Sequence, residues 1–209
     1  MLRLGRLSLA LLVVSVSAHA AWAQGRGGRG MGGDSLFLLS QKSVQDELKL
    51  EGEQIAKAAQ LSATREAARQ GAQNLTREER RKQFEEQSEA NNKAVAEFLN
   101  ADQAKRLRQI SLQQLGARAF EDPEVADALI LTDEQKGRIT TIQEDARTQM
   151  RSLFQGGNRE QAAGQFDALR RATTQKVTDL LTAEQKTKWK ELIGEQFTGY
   201  LQFPQRGRN

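Results

Sequence analysis

The chain is expected to fold as an all-α protein of elongated antiparallel helical hairpins arranged in two similar repeats, and three observations carry that expectation. Between Ser35 and Phe203 the only proline is Pro123, and Ala, Gln, Glu, Arg, Lys and Leu dominate. Strong helix formers therefore fill a stretch that lacks the turn-rich vocabulary of β proteins. Apolar residues in this stretch recur at three- and four-residue steps, which is the period of a helix with one buried stripe. Finally, two blocks of sequence separated by 81 or 82 residues resemble one another.

The elements follow in chain order. Arg3 and Arg6 precede a mostly apolar run from Leu9 to Val16, then small residues ending in Ala18-His19-Ala20 and Ala21-Trp22-Ala23. This is the layout of a secretory signal peptide over residues 1–23, cut after 20 or 23. The run is too short to span a bilayer, and no other stretch approaches the roughly 20 apolar residues required. Residues 24–35 form a Gly/Arg-rich linker. Its Gly25-Arg26-Gly27-Gly28-Arg29-Gly30 resembles an RNA-contacting segment, but behind a leader a flexible spacer is the simpler reading, so no nucleic-acid partner is expected.

Repeat 1 covers residues 36–116 and begins with a short lead helix. Its hairpin pairs a helix from Glu51 to Gln70, carrying Ile55, Ala58, Ala59 and Leu61, with one from Thr76 to Phe98, carrying Phe84, Val95 and Phe98. Asn91 and Asn92 stand where a core helix would take apolar groups, so this hairpin should be narrow and loosely packed. A closing helix runs from Asn100 to about Leu115. Repeat 2 covers 117–203. Its hairpin helices present Ile139, Ile142, Ala146, Met150 and Leu153, then Ala162, Phe166, Leu169, Thr173, Val177 and Leu180. Gly156-Gly157-Asn158 separates them, with Asn158 placed to cap the second. The closing helix runs from Thr182 to about Ile193, with Trp189 matching Leu107 and expected in the core. Residues 204–209 are a basic tail.

Charge follows the same division. Of 31 basic residues, Arg3, Arg6, Arg26, Arg29, Arg206 and Arg208 lie outside 35–203, and of 27 acidic residues only Asp34 does. The body thus holds 25 basic and 26 acidic residues and is nearly neutral, despite a net formal charge of +4 for the whole chain.

The repeat is anchored on four helix starts. Residues Val44–Gln54 align with Val125–Gln135 at a separation of 81, and Leu99–Gln103 with Leu181–Gln185 at 82. In Leu131-Thr132-Asp133-Glu134-Gln135 the threonine hydroxyl can accept from the amide three residues on while the Gln side chain reaches back to the threonine amide, a capping box. Leu181-Thr182-Ala183-Glu184-Gln185 repeats it. Asn100 is a good cap ahead of Gln103, whereas Glu51, between Leu50 and Gln54, is a poor one, so the first start should fray. Thr76 with Glu79 makes a further capping box outside the pattern.

On these residues the chain resembles the Leu-Thr-x-x-Gln (LTxxQ) motif family of the bacterial periplasm, the Spy/CpxP-like proteins, as a tandem-duplicated member. The match rests on Leu131–Gln135 and Leu181–Gln185, on the weaker Leu50–Gln54 and Leu99–Gln103, and on the leader and the lack of cysteine; it covers most of the chain after about residue 40. The resemblance implies a periplasmic, ATP-independent chaperone holding unfolding clients, or a modulator of envelope stress. It also implies a cradle-shaped pairing of two-motif units, here within one chain or in a homodimer. Family members bind zinc, nickel or cobalt through histidines, but here the only histidine, His19, lies in the leader, so no metal or other cofactor is expected.

With neither His nor Cys left after cleavage, the side chains most used for acid/base catalysis near neutrality are missing, and no enzyme is expected. Function should instead reside in apolar helix surfaces that meet unfolded or envelope proteins. Candidate client or dimer contacts are Phe84, Phe98, Met150, Phe154 and Phe166, each of which also suits a core position. The alternative function is a structural or regulatory protein with one dedicated envelope partner.

Overall fold

A computed structural model describes residues 33–155 and 159–203, without the side chains of 154–163. The expected leader at 1–23, nearly all of the expected linker, Gly156-Gly157-Asn158 with its expected turn and cap, and the expected tail at 204–209 lie outside the described residues. Those described form helices with no strand among them. In order they are α1 (Ser35–Leu39), α2 (Lys42–Glu47), α3 (Gly52–Gly71), α4 (Arg77–Phe98), α5 (Ala101–Leu115), α6 (Pro123–Ala128), α7 (Asp133–Gln155), α8 (Arg159–Asp179) and α9 (Ala183–Ile193). Short 3-10 segments at Ala72–Asn74 and Gly116–Glu121 join α3 to α4 and α5 to α6.

The register expected from the motifs reappears in the backbone. Helix α6 begins and ends 81 residues after α2, α7 starts 81 after α3, and α9 starts 82 after α5. Just past α2 and α6, Lys49 at φ 50° and Ile130 at φ 51° adopt the left-handed conformation. Leu50 N then donates to Gln45 O at 2.9 Å and Leu131 N to Ala126 O at 3.0 Å. These six-to-one bonds are how a helix end satisfies its leftover carbonyls before the chain turns into the next element. The closing helices end on Gly116 and Gly194, at φ 57° and 60°, where a residue with a Cβ would be strained. Helix α9 has 11 residues against 15 in α5, one helical turn fewer.

Helices α7 and α8 run antiparallel. Gln135 at the start of α7 bonds the carbonyl of Leu180 just past α8, while Gln149, Ser152 and Leu153 near the far end of α7 face Gln165, Ala168 and Leu169 near the start of α8. The first hairpin is thinner. Helix α3 buries only Ala58 and α4 only Asn91 and Val95. Asn91 does turn inward, and its side-chain oxygen accepts from Gln87 Nε2 at 3.2 Å. Thr173, which occupies the matching position in α8, is buried too and donates to Leu169 O at 2.7 Å. A polar residue persists at both places because each finds a partner within its own helix.

Two apolar clusters form the core. Leu36, Leu38, Leu39, Val44, Leu107 and Ile110 centre the first; Leu112, Leu115, Phe120, Val125, Ile139, Val177 and Trp189 centre the second. Helix α5 feeds both, Leu107 and Ile110 to one and Leu112 and Leu115 to the other, and so serves as a shared beam. Each fully buried leucine contributes about 1.5–3 kcal/mol. Residues 194–203, grouped by sequence with the second repeat, lie against the first: Phe197 and Leu201 are buried in its cluster.

The capping box at the start of α4 gives a pH-dependent expectation. Thr76 N and its hydroxyl both donate to Glu79 Oε2, at 2.8 and 2.7 Å. Chiefly the hydroxyl, and then the amide, hold the Glu79 carboxyl below its ordinary 4.5. A depressed carboxylate stabilises the folded form above its ordinary pKa, and that contribution disappears as pH falls through the lowered value. Amide exchange at Glu78, Glu79 and Arg80 should therefore accelerate, relative to amides in the middle of α4, as the pH is taken from above the ordinary 4.5 to well below it.

Candidate functional site

The motif glutamines meet in pairs. In the first half Gln54 Nε2 donates to Gln103 Oε1 at 2.8 Å and Gln103 Nε2 returns a bond to Gln54 Oε1 at 3.1 Å. In the second half Gln135 and Gln185 do the same at 2.8 and 3.1 Å. Each carboxamide oxygen also accepts from the amide of its own cap: Glu51 and Asn100, each at 3.0 Å, and Thr132 and Thr182, at 3.0 and 2.9 Å. Each remaining N–H reaches a carbonyl at the neighbouring helix entry: Gln54 to Phe98, Gln103 to Leu48, Gln135 to Leu180 and Gln185 to Leu129.

The geometry follows from the motif. A Gln three residues past the cap folds back over the helix start, and two such starts side by side bring their amides face to face. A carboxamide has two donors and an oxygen with two lone pairs, and in all four glutamines every one of these is used. Asn100, Thr132 and Thr182 complete their boxes by accepting from Gln103 N at 2.9 Å, Gln135 N at 3.1 Å and Gln185 N at 3.2 Å. At the first start the amide of Glu51 is held by Gln54 Oε1. Leu99, Leu131 and Leu181 are buried and Leu50 packs against the first cluster, so the leucine of each motif anchors its helix start in a core. The four glutamine carboxamides are committed to the fold and have no donor or acceptor to spare for a ligand.

The proposed contact residues separate. Phe84 on α4 and Phe166 on α8 are 57% and 36% exposed, and they stand 82 residues apart, in the register of the repeat. Phe98 packs against the first core, since it sits where α4 turns into the clasp. Met150 is half-buried on α7. Phe154 belongs to α7, and its side chain lies outside the described residues. An open crevice of about 430 Å³ between α7 and α8 is lined by Leu153, Ala168, Leu169, Gln149, Ser152 and Gln165.

Three further apolar groups are exposed: Ile130 at 83%, Tyr200 and Phe203. The left-handed backbone lifts Ile130 out of the core that holds its neighbours Leu129 and Leu131. Only its match in register with Lys49 marks the position.

Carboxylates come closest to a chemical constellation at Asp122 and Glu124. Burial raises the Glu124 carboxyl above its ordinary value, Arg108 pulls it back and Asp122 adds to the rise. Arg108 bonds both carboxylates, and Asp122 Oδ1 accepts from Glu124 N at 3.0 Å as the cap of α6. The trio ties α5 to α6. Among the described residues there is no group of three or more metal-binding side chains, and no helix is long and apolar enough to cross a membrane. No protein-family model, curated protein or solved structure matches the chain.

Proposed function

We propose that this chain is an exported, periplasmic binding protein of the LTxxQ type, a tandem of two related hairpin units that holds unfolding proteins without ATP and without catalysis. The observation that carries the reading is the pair Phe84 and Phe166: two aromatics exposed at corresponding positions on the second helix of each hairpin. Exposed aromatic surface on helices that bury little suits weak, repeated contact with apolar segments of other chains. The saturated clasps support the same division of labour, since the motifs hold the frame and leave recognition to the arms. The carboxylate pair most suited to catalysis is bound to one guanidinium and one helix cap. Contact with clients through Met150, Phe154 and the α7–α8 crevice belongs to this reading.

A second reading, a protein with one dedicated envelope partner or a homodimer, is favoured by Ile130. A β-branched side chain held outward at positive φ is costly, and Lys49 takes its place in the first half, so the knob is specific to one end of the molecule.

Light scattering separates the two. The leaderless protein should suppress aggregation of several unrelated denatured clients, at substoichiometric to equimolar ratio and without ATP. Phe84→Ser with Phe166→Ser should lower that suppression severalfold while melting within about 1 kcal/mol of the parent, as surface changes do. Failure with every client, together with recovery of a single envelope component by Ile130-dependent pull-down, would assign the second reading.

A further inference from the structure

We infer that the first half carries a groove for extended apolar polypeptide, which the chain's own segment 195–203 occupies; the inference rests on the binding-protein reading above and names a site for it. Beyond Gly194 the chain forms no helix and crosses α5 onto α1 and α2. Four side chains hold it by its main chain. Arg106 and Gln113 donate to Glu195 O, each at 2.7 Å, and Gln113 Oε1 accepts from Phe197 N at 2.8 Å. Ser43 donates to Tyr200 O at 2.6 Å, and Gln41 Oε1 accepts from Gln202 N at 2.8 Å.

Phe197 and Leu201, four residues apart, enter the first core, and Phe203 stacks on Phe37 with ring centroids 5.1 Å apart. Tyr200 between them faces solvent. Main-chain groups are common to every polypeptide, so recognition of this kind fixes an extended conformation and asks of the sequence only apolar residues at two or three places. That is the chemistry of an unfolded segment. The strap is tethered within a few residues of the groove and so competes at high effective concentration. A foreign segment binds only the fraction of molecules in which the strap is out, and its apparent affinity falls by that fraction.

Gly199 offers a way to loosen the strap. A Cβ at this position would lie 2.3 Å from a ring carbon of Phe197 and 2.8 Å from Ser43 Cβ, so Gly199→Ala should displace it. The probe is a labelled peptide of sequence 195–203, titrated by anisotropy against the leaderless parent, Gly199→Ala, and Phe197→Ala with Leu201→Ala. Both variants should bind it at least tenfold more tightly than the parent, and an unrelated extended peptide with apolar residues four apart should compete. Equal affinity in all three folded proteins would overturn the inference. So would conversion of the variants to dimers that exchange straps, which would give the groove to a second copy.

If the variants unfold, amide exchange in the parent decides: Phe197 and Gln202 should open well before the amides of α5, and equal protection contradicts an exchangeable strap. Aggregation suppression by the parent with unchanged peptide binding in the variants would sink the groove and leave the chaperone reading standing. Peptide binding without suppression would do the reverse.

Discussion

Gln185→Ala should destabilise the protein by about 3 kcal/mol, several times the cost of removing an ordinary exposed glutamine. The substitution strips Thr182 N of its acceptor and takes both reciprocal bonds from Gln135 and a donor from Leu129 O. A half-buried amide left unpaired costs about 1–3 kcal/mol, against a net of about 1 kcal/mol for a bond simply lost. In a domain of this size each kcal/mol moves the melting point by about 2–4 °C, so the drop should be about 6–12 °C. The double variant Gln135→Ala with Gln185→Ala is the sharper measurement. Once one glutamine is gone the other has already lost its partner, so the two losses should overlap by at least about 1 kcal/mol in a double-mutant cycle. Strictly additive losses would mean that the two motifs cap their helices independently.

Trp189→Ala should cost about as much or more, by a different mechanism. Its ring is buried in the second cluster against Phe120, with centroids 4.4 Å apart. Removing a large buried aromatic loses its transfer energy and leaves a cavity, about 3–5 kcal/mol together. Leu107→Ala, at the matching place in α5, should cost about 2–5 kcal/mol. Leu107 sits on the beam that feeds both clusters, so its loss should lower the cooperativity of the melt as well as its midpoint, whereas Trp189→Ala should loosen the second half first. Chemical denaturation followed at both halves distinguishes these outcomes.

The parts of this structure legible in the sequence are those governed by neighbours three or four residues away. Caps at Thr76, Asn100, Thr132 and Thr182 follow from hydrogen-bonding rules local to a helix start, and the inward placement of Ile139, Val177 and Trp189 follows from periodicity. The separation of 81 or 82 residues between helix starts is likewise a property of the string itself.

What sequence reasoning missed depends on contacts between distant residues. Gln54 meets Gln103 and Gln135 meets Gln185 only once hairpin and closing helix are side by side, and no local rule distinguishes a paired capping glutamine from a solitary one. Phe197 and Leu201 continue from Ile193 at helical steps of four, yet the chain forms no helix past Gly194; their burial comes from the surface of the first core they lie against. Ile130 reads as one more apolar residue in Leu129-Ile130-Leu131, and only the left-handed turn puts it outside.

Contact between Phe84 or Phe166 and unfolding clients is the claim on which the proposed function most depends. A photocrosslinking residue placed at position 84 or 166 of the leaderless protein, irradiated with several unrelated unfolding proteins, should couple to each of them, while the same residue at exposed position 136 beside the second clasp should couple to little. Equal labelling from all three positions, or none from 84 and 166, would contradict it.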